Sequence, residues 1–445
     1  MKNLVMGSAG GFDWVTLEPF ITSFAKHVKN ADLVLFLDNI SDFTLERLKN
    51  CGKESLKIEP LFYTNLNFLG IERYENFKRY IDAHGDEYAQ IFITDTRDVI
   101  FQGDIFDDFK GYSNFLCYAT EADDLRGTKS GLRLNYDWIC GYFGKEETDK
   151  LLDKKIVCAG SALIGTPRAV KIFLEKLLAL RDPTKKTAFD QAAFNYLIHN
   201  NLIPIENLIE SDVHSGTIYT NGLINDNKIR GDKILRGDGG IPSVVHQYDR
   251  HDNLIELVDE IYRDKNFQVD ERFTDAHSLL DQINYLLFGG KVDDAARLCM
   301  KTYAGNKNFG AKMNLPIKIW ERILNKPFTP AAAYLELTVQ SFCRSAQNFP
   351  FQNLHQICRL LTYSIKNRRA VDPGFLNFIA NALMKLAEQG LKIKAAEQCF
   401  FCIETLNSFD LPMNKDFYFF LSEVNRTFGR KEEALAAYKK ALDLN

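Results

Sequence analysis

The stretch Ile91-Phe92-Ile93-Thr94-Asp95-Thr96-Arg97-Asp98-Val99-Ile100-Phe101-Gln102 decides how this chain is read. An apolar run of β-formers stops at acidic residues, and a second apolar run follows. Branched and aromatic residues in such runs favour strands. A buried strand that delivers carboxylates at its C-terminal end is one way for an α/β protein to build a metal site. Hard divalent cations such as Mg2+ and Mn2+ take oxygen ligands and commonly hold a substrate diphosphate on their far side. The plainer reading is a strand followed by an acidic turn in which Arg97 pairs locally. The rest of the chain favours the site.

Working outward, short apolar runs alternate with amphipathic segments as far as about residue 260. Leu4-Val5-Met6 is a strand candidate, followed by a Gly-rich turn, Gly7-Ser8-Ala9-Gly10-Gly11, and a helical pattern through Leu17, Phe20, Ile21 and Phe24. Leu33-Val34-Leu35-Phe36-Leu37 is a second strand ending at Asp38. Phe115-Leu116-Cys117-Tyr118, Ala162-Leu163-Ile164 and Val244-Val245-His246 are further strands. Pro167 to Leu180 reads as a helix with Pro at its start and apolar residues at Val170, Phe173, Leu174 and Leu177. Strands alternating with helices predict a mainly parallel sheet covered on both faces.

Beyond about residue 270 the strand signals fade and helical periodicity takes over. Thr329-Pro330-Ala331-Ala332-Ala333 reads as a helix start. Phe375 to Leu406 and Phe417 to Leu444 each read as a helical hairpin, with Gly390 and Ala395 in the first matched by Gly429 and Ala434 in the second. The segment Phe428-Gly429-Arg430-Lys431-Glu432-Glu433-Ala434-Leu435-Ala436-Ala437-Tyr438 resembles the second half of a tetratricopeptide repeat. Small residues there let helices approach closely, and large ones fill the layer between repeats. The expected organisation is therefore an α/β domain over 1–265 and an α-helical, repeat-like domain over 270–445.

Composition bounds the function. The 445 residues are 46% hydrophobic and 26% charged, with a net charge of -4, so a general electrostatic grip on nucleic acid is not expected. The N-terminal apolar run is too short for a signal peptide, and no run approaches the roughly 20 apolar residues that cross a bilayer. A cytoplasmic protein is expected, with room for peripheral contact at the inner face of a membrane. Nine cysteines, an odd number mostly in apolar contexts, fit reduced buried thiols. Cys399 and Cys402 form the lone C-x-x-C, within a helical pattern that suits core packing better than zinc.

Four segments together then resemble the GT-A glycosyltransferases, which use nucleotide-sugar donors. The resemblance covers residues 1 to 260 and implies a Rossmann-like, mainly parallel sheet. It places the acidic motif at Asp95 and Asp98, one residue longer than the common D-x-D. Cys158-Ala159-Gly160-Ser161 resembles the segment beside the donor sugar, with Ser161 where Asn is usual and Gly160 allowing close backbone approach. Phe189-Asp190-Gln191-Ala192-Ala193-Phe194-Asn195 resembles the D-Q helix facing sugar and acceptor, which makes Asp190 and Gln191 the catalytic candidates. A carboxylate there can also cap its own helix. His246, at the end of the last strand, stands where several such families place a third metal ligand, and an imidazole suits Mn2+ better than Mg2+.

The same resemblance implies further contacts. Gly7 and Ser8 would lie under the nucleoside, and Asp38 would hydrogen-bond its base or ribose. Lys228, Arg230 and Arg236, in a flexible basic stretch, would cover the diphosphate; Arg250 and His251 are surface groups or phosphate contacts. The implied reaction moves a sugar from a nucleoside diphosphate sugar, with UDP expected, to a glycan or protein acceptor, as in bacterial surface glycan synthesis. The helical domain would hold the acceptor, a partner or a second copy of the chain. Two rival classes fit the residues less well. Phosphatases of the haloacid dehalogenase kind carry their acids directly after the first strand, not nearly a hundred residues on. A repeat-built scaffold would not need acids, a D-Q helix and a terminal His together.

Overall fold

The computed structural model describes residues 1–62, 69–159, 163–182, 184–185, 189–291, 294–295, 297–298, 383–384, 387–388, 391, 396–407 and 414–444. The helix start at Thr329, Gly390, Ala395, Gly160 and Ser161 lie outside these residues. The chain divides into two compact units, Met1–Phe267 and Gln268–Asn445.

In the first unit the chain runs β1 (Lys2–Gly10), α1 (Trp14–His27), β2 (Ala31–Asp38), α2 (Asp42–Gly52), β3 (Leu56–Pro60), α3 (Leu69–His84), β4 (Tyr88–Ile93), β5 (Val99–Phe101), β6 (Phe115–Asp124), α4 (Leu134–Phe143), α5 (Lys145–Asp149), β7 (Lys155–Val157), β8 (Leu163–Gly165), α6 (Pro167–Ala179), α7 (Phe189–His199), β9 (Asn207–Ser211), β10 (Ile218–Thr220), β11 (Lys228–Arg230), β12 (Lys233–Leu235), β13 (Val244–His246) and α8 (Asp252–Tyr262). The main sheet has the order β3-β2-β1-β4-β8-β6-β7, with β9 pairing on β6. Strands β1 to β4 are parallel to one another, β8 is antiparallel between β4 and β6, and β9 is again parallel to β6. The fold class is thus α/β with a mainly parallel sheet.

Both faces of this sheet are covered, which is why its strands read as unbroken apolar runs. Leu4, Val5, Leu33, Val34, Ile91 and Phe92 are all fully buried. Helix α6 starts as its sequence demands: Thr166 caps it by accepting from the Ala169 amide, Pro167 follows, and Val170, Phe173, Leu174 and Leu177 are buried.

One expectation needs correcting. The small residues 7 to 10 are not a turn but the end of β1, paired in register from Gly7↔Leu35 to Gly10↔Asp38. The reason lies across the sheet: a Cβ at Gly7 would stand 2.4 Å from Thr96 Cγ2 and 3.3 Å from the Thr94 carbonyl. The missing side chain leaves the space that Thr96 of the acidic turn occupies. Lys228 and Arg230 also differ from expectation, since β11 and β12 form an antiparallel hairpin where a flexible stretch was expected.

A second, three-stranded sheet of order β10-β13-β5 positions the site. Strand β5 is the second apolar run of the opening motif. It pairs antiparallel with β13, Val99 opposite His246.

In the second unit the described helices include Ala276–Phe288, Ala396–Asn407, Lys415–Thr427 and Lys431–Asp443. The last two form a hairpin turned at Gly429, whose φ of +79° suits glycine. Ala434, Ala437 and Ala441 form its buried face, and Ser422 Oγ reaches the Ala434 carbonyl at 2.9 Å. Cys399 and Cys402 are buried and not joined in a disulfide. No helix among the described residues is long and apolar enough to cross a membrane.

Candidate active site

The chain order builds outward from β1 through β2 to β3, then returns to β4 on the other side of β1. Open parallel sheets hold ligands beyond the C-terminal ends of their strands at such a switch point. Thr94 and Asp95 leave β4 there. The Thr94 amide still donates to the Met6 carbonyl at 3.0 Å, and Thr96 Oγ1 donates to the Ser8 carbonyl at 2.9 Å. The turn is pinned to β1 at two points, which fixes the directions of Asp95 and Asp98.

Strand β13 brings His246 to the same place. The Gln247 amide donates to the Asp98 carbonyl at 2.8 Å. His246 Nε2 then lies 3.6 Å from Asp98 Oδ1 and 3.9 Å from Asp95 Oδ2. One donor atom from each of the three residues lies within 4.8 Å of the others. The longer D-x-x-D spacing is accommodated because Asp98 is held by β5 pairing while Asp95 still belongs to the β4 end.

The outer oxygen of each carboxylate is taken by an arginine. Arg73 on α3 donates to Asp95 Oδ1 at 2.5 Å, and Arg97 lies 3.3 Å from Asp98 Oδ2 and 3.4 Å from Asp249. Local pairing by Arg97 therefore coexists with the cluster. The oxygens left facing His246, with its imidazole, make a mixed oxygen and nitrogen donor set that fits Mn2+ or Mg2+. Burial pushes His246 below its ordinary pKa against the opposing pull of Asp98 and Asp95, which keeps the ring neutral and able to ligate. Its other nitrogen, Nδ1, lies 3.6 Å from Cys158 Sγ, a contact that sets the ring's orientation. Burial raises the Asp95 carboxyl, with Arg73 pulling the other way.

Helix α7 supplies the third part. Asp190 lies in its first turn; Oδ1 accepts from the Gln191 amide at 2.8 Å and Oδ2 from Arg73 at 2.8 Å. Asp190 is the second residue of α7, so its bond to the next amide is not an N-cap bond. The Gln191 carboxamide is spent on backbone, accepting from Ala159 N at 2.9 Å and donating to Val157 O at 2.7 Å. Asn195, one turn on, accepts from Val157 N at 2.9 Å and donates to Val157 O at 3.0 Å. These amides hold the strand end that leads into residues 160 and 161.

Together these groups line a cavity of about 440 Å3, within the usual size for a small-molecule site. Asp95, Asp98, His246, Asp190 and Gln191 are in its wall. Gly7, Ser8, Asp38, Lys228, Arg230 and Arg236 are not among its lining residues. Arg236 is occupied elsewhere, donating to the Gly216 carbonyl at 2.6 Å and pairing with Asp238 at 3.2 Å. The cationic lining comes instead from Arg73, Arg97 and Arg250.

Several wall residues carried no readable signal. Arg73 sits in an ordinary amphipathic helix and becomes a bridge only because α3 packs beside α7. Glu121 lies on β6, three residues past the apolar run that marks the strand, and burial pushes its carboxyl up to about 6. Gln247 shows one signal afterwards: it adopts the left-handed conformation, φ +67°, rare for a side chain of its size. It and Arg250 lie over Gly222, where a Cβ would meet Gln247 Oε1 at 2.1 Å and Arg250 Nη1 at 2.6 Å.

No family model matches the chain, and none of the curated proteins matches it. Among solved structures it is similar to the galactosyltransferase LgtC in complex with donor and acceptor sugar analogs, 13% identical, with a TM-score of 0.35 over 60% of this chain and 98% of LgtC. It is similar to the apo glycosyltransferase GlyE of Streptococcus pneumoniae TIGR4, 15% identical, with a TM-score of 0.34 over 56% of this chain and 54% of GlyE. S. aureus TarS is 12% identical, with a TM-score of 0.31 over 77% of this chain and 49% of TarS. The chain spans about half the length of GlyE and TarS.

Proposed function

We propose that this chain is a metal-dependent glycosyltransferase of GT-A type that moves a sugar from a nucleoside diphosphate sugar, UDP being the expected nucleotide, to an acceptor hydroxyl. The observation that carries this reading is the meeting of Asp95, Asp98 and His246 in one cavity with Arg97 and Arg250. That combination suits a divalent cation and a diphosphate together. Asp95, Asp98 and His246 would hold Mn2+ or Mg2+, which when bound neutralises phosphate charge and favours departure of the nucleotide.

The chain's own groups do the rest. Arg97 and Arg250 offer charge to phosphate oxygens. Arg73 and Asp190, locked to each other, present a rigid donor and acceptor pair to sugar hydroxyls. Gln191 and Asn195 hold the backbone beneath the sugar, a positioning role. Gly160 and Ser161 remain the proposed neighbours of the donor sugar, and Gly7, Ser8 and Asp38 those of the nucleoside. The helical unit, read as tetratricopeptide-like, would engage a glycan or protein acceptor, a partner protein or another copy. The proposed setting is cytoplasmic, at the inner face of a membrane, in bacterial surface glycan synthesis.

The test is a screen of UDP-, GDP- and CDP-sugars for hydrolysis and transfer with Mn2+, beside Asp98→Ala and His246→Ala. Turnover of one donor that needs the cation and is lost in both variants is expected. No turnover of any donor, and no thermal shift with any nucleoside diphosphate, would sink the reading.

A further inference from the structure

A transferase of this kind must remove a proton from the attacking hydroxyl, and the cavity holds four carboxylates that could receive it. Three are already committed. Asp95 and Asp98 each give one oxygen to an arginine and turn the other towards His246. Asp190 accepts from Arg73 with one oxygen and from the Gln191 amide with the other. The oxygens engaged in these contacts are not open to an incoming proton.

Glu121 differs. It lines the same cavity and, among the described residues, forms no ion pair. Its neighbours are the Cys158 thiol, which hydrogen-bonds it, Arg250, which acts on it through space, and Asp123 further along β6. Asp123 is itself fully engaged: burial opposes its charge, but the side chain and amide of Ser130 and the Lys129 and Asp124 amides outweigh this and hold it at about 2. The loop those amides belong to brings Ser130 and Leu132 to the wall of the same cavity.

We propose that Glu121 is the catalytic base, taking the proton of the attacking acceptor hydroxyl. This rests on the transferase reading above. As the acceptor oxygen bonds to the anomeric carbon, its proton passes to a Glu121 carboxylate oxygen. The bond from the anomeric carbon to the phosphate oxygen breaks, and its electron pair leaves on the nucleoside diphosphate. Burial, the largest influence on Glu121, places its titration at about 6, which matches a base that works near neutral pH.

The experiment uses the full chain, Mn2+ and whichever nucleoside diphosphate sugar the unaltered protein turns over. Glu121→Gln is expected to lower transfer kcat about 10²- to 10⁴-fold. Donor KM should stay within about threefold, and the acidic limb of the rate profile near pH 6 should disappear. Glu121→Asp should recover part of the rate together with the limb. A Gln variant with kcat within about threefold of the unaltered protein, or one that keeps the limb, overturns the proposal. Should Glu121→Gln fail to give a thermal shift with UDP and Mn2+, the unaltered protein decides. A limb near pH 6 then supports the assignment, and a flat profile from pH 5 to 8 rejects it. Unaltered protein that turns over no donor removes the transferase reading as well, whereas an active protein indifferent to Glu121 removes this assignment alone.

Discussion

The amide of Gln247 donates to the carbonyl of Asp98 at 2.8 Å, tying the strand that carries the imidazole to the turn that carries the acids. The chemistry of the cavity depends on that join, because His246 and Asp98 are neighbours in space although 148 positions separate them in the chain. Replacing His246 with Ala or Asp98 with Asn should reduce transfer at least about a hundredfold, as expected when a charge-neutralising centre is lost. Mn2+ titration followed by tryptophan fluorescence should show weakened binding in both variants while the fold, by circular dichroism, is unchanged.

Arg73 is the bridge between α3, the acidic turn and α7. Arg73→Ala leaves Asp95 and Asp190 partly buried without their cation and should cost roughly 2–4 kcal/mol of stability. Arg73→Lys should recover little, since an ammonium cannot span both carboxylates as the guanidinium fork does. Chemical denaturation of the full chain checks both.

Gly7 supports the site through the space it leaves. Gly7→Ala drives a methyl to 2.4 Å from Thr96 Cγ2 and should destabilise by about 1–3 kcal/mol as an overpacked position does. Combining it with Thr96→Ser, which removes the opposing methyl, should restore most of the loss in a double-mutant cycle.

Gly222 makes a contrasting case, because a Cβ there meets the ends of flexible side chains rather than backbone. Gly222→Ala should change stability by less than about 1 kcal/mol. It should also push Gln247 and Arg250 aside and raise donor KM roughly tenfold with kcat little altered, the signature of lost ground-state binding. Steady-state kinetics separates the two effects.

Glu121 gives a pH-dependent prediction for stability. Burial raises its carboxyl from 4.5 to about 6 in the folded chain, so the folded state binds the extra proton and stability falls as pH rises through that window. Glu121→Gln carries no such charge. It should be about as stable as the unaltered protein at pH 4 and more stable at pH 7 by up to about 2 kcal/mol, the free energy of that displacement. Urea denaturation at the two pH values measures the difference. Equal stability at pH 7 would mean that the carboxyl is not desolvated as the geometry indicates.

Much of the fold was legible because burial on both faces of a parallel sheet writes continuous apolar runs into β1, β2 and β4, and because Thr166 and Pro167 mark a helix start by local backbone chemistry. The short strands β7, β9 and β10 were missed: three to five residues leave too little pattern to read. The small residues 7 to 10 were misread as a turn since glycine signals either a bend or a close approach, and only the neighbour across the sheet distinguishes them.

By itself, the sequence determined the class of sheet, the carboxylates at the end of β4 and the strand that ends in His246. Each of these follows from interactions between residues near in the chain. Tertiary structure alone decided that Arg73 binds Asp95 and Asp190 at once, that Gln191 serves backbone, that Arg250 and not Arg236 faces the cavity, and that Glu121 stands in its wall with no ion pair among the described residues. Those outcomes depend on which surfaces of α3, α7, β6 and β13 are brought together. Side-chain pairing across such distances leaves no periodic trace in the residues that perform it.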